Sequence, residues 1–183
     1  MDQDRDQLLV ERCRNGDQAA FTEIVIRYQR PIYNAAYRVL GNAEDASDIT
    51  QSVFLKIAER LDDYDPKYKF FSWIYRIALN ESLNLLRRNG REEPLGDDEE
   101  FLPGDAHADP EWQALEAELS ARVQGALMKL KAQDRMMLAL RHFSDCSYRE
   151  IADVLEIDEK TVKSRLFEAR SRMRGLLHEV HAA

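Results

Sequence analysis

Six aromatic side chains fall within the twelve residues from Tyr64 to Tyr75, namely Tyr64, Tyr68, Phe70, Phe71, Trp73 and Tyr75, with the cations Lys67, Lys69 and Arg76 among or beside them. Aromatic rings stack on unpaired bases for about 1–3 kcal/mol each, and cations beside them neutralise the phosphate backbone, so this mixture suits single-stranded nucleic acid. Helical spacing puts Phe70, Trp73, Ile74 and Ile77 on one side as a core stripe, which leaves Tyr64, Tyr68 and Tyr75 as the rings for a base. A second basic cluster lies at 159–175, where Lys160, Lys163, Arg165, Arg170, Arg172 and Arg174 face only Glu159 and Glu168. Its polar positions combine cations for phosphates with hydroxyls for base edges, and Phe167 adds an apolar ring that could meet a thymine methyl.

The elements that must position these groups read as helices throughout. Residues 5–15 form one helix, stopped by Gly16, and Asp17 caps the next, with Phe21, Ile24, Val25 and Tyr28 at 3–4 spacing. Pro31 should kink or break that helix before the pattern resumes through Tyr33, Ala36, Tyr37 and Leu40. Asn42 caps a third helix with a buried stripe of Ala46, Ile49, Val53 and Ile57. Residues 62–69 are a loop, and a fourth helix covers about 70–88. After Pro110 a long amphipathic helix carries Trp112, Leu115, Leu119, Val123, Ala126, Leu127 and Leu130. Asp134 caps a shorter helix that runs to about His142. Ser147 with Glu150 is a capping box opening SYREIADVLE, and Asp158 caps the last helix. No strand pattern and no repeat is present, so the fold class is all-α: two small helical domains, the second containing a helix-turn-helix.

Ile151, Ala152, Leu155, Ile157, Val162, Leu166 and Ala169 fit the interior of that helix-turn-helix, whose second helix would enter the major groove. The outward set is then Lys160, Thr161, Lys163, Ser164, Phe167, Glu168 and Ser171. An ordinary helical hairpin with a basic exposed face is the plainer alternative.

Charge divides the chain. The 183 residues carry a net charge of −8, and the pI is about 5.1, which argues against a protein that binds DNA unaided. Nine acids lie between Arg91 and Glu111 against Arg91 alone, so that stretch carries the whole net charge. With three Gly and three Pro in 89–110, it reads as a linker. The expected domains are therefore 1–90, an acidic linker at 91–110, and 111–183. Extended, twenty linker residues reach roughly 65–70 Å, about the distance between two DNA contacts two helical turns apart.

Other chemistries find no support. HExxH, GxSxG and phosphate-loop patterns are absent, and His107, His142, His178 and His181 make no ligand spacing. An enzyme, a metal site and a cofactor are not expected. Cys13 and Cys146 are too far apart and too few for a framework of disulfides, and reduced thiols are expected. The N-terminus lacks a secretory pattern and no apolar run spans a membrane, so a cytoplasmic protein without membrane insertion is expected.

The run LRHFSDCSYREIADVLEIDEKTVKSRLFEARSRMRGLL, and within it TVKSRLFEAR at 161–170, resembles the C-terminal promoter-binding domain of extracytoplasmic-function sigma factors of the sigma-70 family. AEDASDITQSVFLKIAERL is similar to the family's polymerase-binding helix, and FFSWIYRIALNESLNLLRR to its −10 helix. The three segments come in the family's order and span nearly the whole chain. Departures are Glu156, where the turn often carries Gly, and Glu168, where relatives often present a cation.

The resemblance implies core RNA polymerase and promoter DNA as partners. Asp48, Gln51 and Ser52 share one helix face. Alone they read as solvated polar residues, whereas the resemblance makes them the polymerase contact. It assigns −10 DNA to the loop and fourth helix, with Lys67, Tyr68, Lys69, Tyr64, Tyr75, Arg76, Arg87 and Arg88. It further implies Asn80 beside the flipped base, with Lys56 at the border of that pocket. It assigns −35 DNA to Lys160, Thr161, Lys163, Ser164, Phe167, Glu168 and Ser171, with Arg165 and Arg170 as phosphate or intradomain contacts. In the family the linker threads the polymerase cleft, although a generic acidic linker fits this composition too. A cognate anti-sigma factor is a further partner the family commonly has, and the residues themselves are silent on it. The rival reading is a helix-turn-helix regulator that works without polymerase, which leaves residues 1–90 unexplained.

Overall fold

The computed structural model describes residues 3–90 and 120–182, with side chains to residue 178. The expected linker at 91–110, and Trp112, Leu115 and Leu119 of the helix after it, lie outside the described residues. Those described are helical, with no strand among them, and form two lobes.

In the first lobe α1 (Gln3–Arg14) precedes α2 (Gln18–Leu40). Asp17 caps α2 by accepting from the Ala19 and Ala20 amides at 2.9 and 3.2 Å. Contrary to the expected interruption, α2 runs unbroken through Pro31. A proline inside a helix costs about 3 kcal/mol. Here Ile24 and Tyr28 before it and Ile32, Ala35, Ala36 and Val39 after it all sit in one core, and that shared burial offsets the cost of carrying the helix through Pro31. Asn42 caps α3 (Ala43–Arg60) through the Asp45 amide at 2.9 Å, and the stripe Ala46, Ile49, Val53 and Ile57 is buried as expected. A short 3-10 turn, Leu61–Asp63, leads through the loop into α4 (Phe70–Arg88). Arg14 of α1 holds that loop by donating to the carbonyls of Leu61 and Tyr64 at 2.9 and 2.8 Å.

The second lobe holds α5 (120–128), α6 (Ala132–Leu138), a π-helical turn (Ala139–Phe143), α7 (Tyr148–Leu155) and α8 (Glu159–Ala182). Asp134 does not cap α6 as expected. The helix starts three residues earlier, from Lys131, whose side chain makes no cap, and Asp134 accepts from Arg172 of α8 instead. Ser147 and Glu150 do form the capping box, with Glu150 N–H to Ser147 Oγ at 3.2 Å and Ser147 N–H to Glu150 Oε2 at 2.8 Å. Asp158 caps α8 through the Thr161 amide at 2.8 Å. Between α7 and α8, Glu156 takes φ 54° and ψ 42°, a left-handed conformation that costs a side-chain-bearing residue about 1–2 kcal/mol. A glycine would take this conformation without that cost.

The lobes touch, α2 against α6 and the π turn, α4 against α7, and their buried residues form a continuous core. Among the described residues no helix is long and apolar enough to cross a membrane. Both cysteines are free thiols, and burial, with Glu150 and Asp145 adding to it, pushes the Cys146 thiol up to about 12.

Candidate nucleic-acid interface

The helix-turn-helix stands on Ile151, Val154, Val162, Leu166 and Ala169, all buried. Their 3–4 spacing turns the remaining positions of α8 outward. Lys160, Lys163, Ser164, Arg165, Glu168 and Ser171 are exposed and Thr161 is half-buried, while the Phe167 ring is 75% exposed. Local pairs hold several of these groups. Lys163 Nζ meets Glu159 at 3.0 Å, Glu168 accepts from Arg172 at 3.1 Å, and the Ser164 hydroxyl donates to the Thr161 carbonyl at 3.1 Å. Exposed i,i+4 pairs are worth only about 0.3–0.5 kcal/mol, so a phosphate or base can displace them. Arg170 is half-buried and donates from Nε to His142 Nε2 at 3.2 Å, an intradomain contact. Burial first, then Arg170 and Arg141, lower the His142 pKa.

The aromatic cluster divides differently from expectation. Tyr68 is 49% exposed, and Lys67 beside it is exposed. Tyr64 is a correction: only 2% exposed, it packs 5.1 Å from Phe70 and 5.6 Å from Trp73, and its hydroxyl donates to the Tyr68 carbonyl at 2.7 Å. It shapes the loop from within and offers no face to a base. Tyr75 is a second correction, at 1% exposed. Its ring lies 4.2 Å from Phe71, and burial pushes its hydroxyl up to about 12. Loop residues carry no helical period, so spacing gave no sign that Tyr64 points inward.

Lys69, Arg76, Asn80 and Arg87 recur at 7, 4 and 7 residues and so share one stripe of α4. Asn80, Arg87 and Arg88 are exposed. Lys56 of α3 reaches across to Glu81 of α4 at 2.5 Å, the residue that follows Asn80. On α3, Asp48 and Gln51 are exposed and Ser52 is half-buried, on the face away from the buried stripe.

Charges that sequence reasoning missed sit between the lobes. Glu150 and Glu156 of the helix-turn-helix pair with Lys69 and Arg76, and Arg76 also donates to the Asp153 backbone carbonyl. On the other side Arg38 of α2 lies 4.3 Å from the Phe143 ring centre and donates to Gln124 at 3.0 Å. These partners are separated by 77 residues or more, and no short-range pattern announces them.

Residues 24–92 match the description of Sigma-70 region 2, and residues 120–173 that of Sigma-70, region 4. The RNA polymerase sigma-H factor of Pseudomonas aeruginosa is 38% identical, over 92% of this chain and 91% of its own length. The ECF RNA polymerase sigma factor SigW of Bacillus subtilis is 32% identical over 93% and 96%, and the ECF RNA polymerase sigma-E factor of Escherichia coli is 36% identical over 90% of both. Among solved structures, CnrH in complex with the cytosolic domain of CnrY superposes with a TM-score of 0.72 at 27% identity, covering 96% of this chain and 98% of that one.

Proposed function

The chain belongs to the sigma-70 family, and from that premise we propose that it binds core RNA polymerase in the cytoplasm and directs promoter recognition, melting and transcription initiation. It does so by binding, without catalysing a reaction of its own. The observation that carries this reading is the pair of matched regions, in order, on helices whose exposed faces suit two states of DNA. The face of α8 is a rigid array of cations, hydroxyls and one ring, suited to a duplex major groove at the −35 element. The α4 stripe and the Tyr68–Lys67 loop offer an amide, a ring and cations, suited to an unpaired −10 strand. On this reading Asp48, Gln51 and Ser52 engage the polymerase, 1–90 and 111–183 act as separate domains, and the acidic 91–110 joins them. A protein partner of the kind CnrH has in CnrY is part of the proposal.

The test is anisotropy of a labelled promoter duplex at physiological salt. The free protein should bind weakly, because its net charge opposes DNA, and core polymerase should create specific binding. Tight, specific binding by the free protein favours the regulator that works without polymerase, which residues 24–92 already disfavour by their match to region 2.

A further inference from the structure

Where α4 meets α7, opposite charges face each other. Arg76 donates from Nη1 to Glu156 Oε1 at 2.7 Å and from Nη2 to the Asp153 carbonyl at 2.5 Å. Lys69 Nζ donates to Glu150 Oε1 at 2.7 Å. Beneath them Phe71 and Tyr75 are buried, next to the segment that carries Ser144 and Cys146. Lys69 and Arg76 belong to the stripe assigned above to the −10 strand. A carboxylate at hydrogen-bond distance satisfies a cation much as a phosphate oxygen does, and its negative charge repels a second anion there, so carboxylate and phosphate compete for each cation.

We propose that this contact is autoinhibitory: in the free chain α7 seats Glu150 and Glu156 on Lys69 and Arg76 as phosphate mimics, and these two cations become free for the strand only when the lobes part. The proposal rests on the reading of α4 as the −10 helix. The contact is selective in what it covers. Asp48 and Gln51 on α3, and Lys160, Lys163 and Ser164 on α8, stay exposed in the same arrangement. Polymerase docking is therefore not blocked by closure, and docking that favours parted lobes shifts the population to the open form. The mimicry is also weak enough to reverse. The pairs are part-exposed, with side-chain exposures of 47% and 22% for Lys69–Glu150 and 29% and 67% for Arg76–Glu156, and exposed pairs hold loosely.

The test uses the full chain with one dye in each lobe, wild type and the double variant Glu150→Gln/Glu156→Gln. Glutamine at 150 preserves the capping box while removing the charge. Energy transfer reports lobe separation, and anisotropy reports binding of a short A/T-rich single-stranded oligonucleotide without polymerase. The variant should show longer separation and about tenfold tighter binding, the order by which two such pairs shift an opening equilibrium. Glu44→Gln/Glu59→Gln, two exposed acids outside this contact, removes the same charge and should leave both readouts as in wild type. Unchanged energy transfer, separation without a gain in affinity, or an equal gain in the control overturns the proposal. Failure of the α4 reading looks different: holoenzyme carrying Asn80→Ala would then open promoters as wild type does, whatever the energy transfer reports.

Discussion

Phe167 offers a perturbation that separates recognition from folding. A phenylalanine presents about 150–250 Å² when free, and this ring is 75% exposed, so it contributes little to the core it stands on. If DNA covers half of what is exposed, about 75 Å² leaves water, which at about 25 cal/mol per Å² is worth roughly 2 kcal/mol, or about thirtyfold in affinity. Phe167→Ala should therefore lower holoenzyme affinity for a promoter duplex by about ten- to thirtyfold. Thermal unfolding of the free protein should shift by less than about 0.5 kcal/mol, as for an ordinary surface substitution. No charge is lost, so the salt dependence of binding should keep its slope, whereas Arg165→Ala should flatten it. The loss should also depend on sequence, falling away when the contacted upstream thymine is replaced by a base lacking the methyl group. The assay is fluorescence anisotropy across a salt series on matched upstream-element duplexes. A fall in melting temperature of several degrees, or an equal loss on every upstream sequence, would refute the placement of this ring in the groove.

Replacing Asp48 and Gln51 together with Ala should weaken binding to core polymerase, read by competition for labelled core, while leaving the melting curve within about 0.5 kcal/mol of wild type. Asn80→Ala should impair promoter opening, read by permanganate reactivity, and a template with a pre-melted bubble should restore transcription in part because the unstacking cost is gone. For Glu150, burial alone would raise its pKa, but Lys69 and Ser147 outweigh it and hold the carboxyl down to about 2, against an ordinary 4.5. A carboxyl depressed on folding contributes stability that is full above its unfolded value and lost as pH falls through the folded one. Wild type should thus lose stability relative to Glu150→Gln between about pH 4.5 and 2, compared by circular dichroism melts. Gly41→Ala should cost about 1–2 kcal/mol in left-handed strain alone, because φ there is +73°, and its Cβ would run into Met128 Sδ of the other lobe. Chemical denaturation measures that loss.

Local periodicity carried most of the fold. Caps at Asp17, Asn42, Ser147 and Asp158 mark helix starts because they satisfy backbone amides within three residues, and a single sequence records such short-range chemistry directly. The stripe of α3 and the interior of the helix-turn-helix were legible for the same reason. Pro31 and Asp134 misled because packing overrode a local rule: a shared core keeps α2 continuous, and a partner on α8 claims the Asp134 carboxylate. At the candidate site the α8 face was readable from spacing, while the burial of Tyr64 and Tyr75 depends on what surrounds a loop and on the second lobe. Glu150 illustrates the limit. Its cap is written in four adjacent residues, and its ion pair with Lys69 spans eighty-one positions.

Run-off transcription with purified core polymerase on fragments of the source genome tests the central claim most directly. Core plus this protein should yield discrete transcripts that neither component gives alone, each starting downstream of paired upstream elements about two helical turns apart. Transcription no different from core enzyme alone, accompanied by tight sequence-specific duplex binding of the free protein, would contradict it.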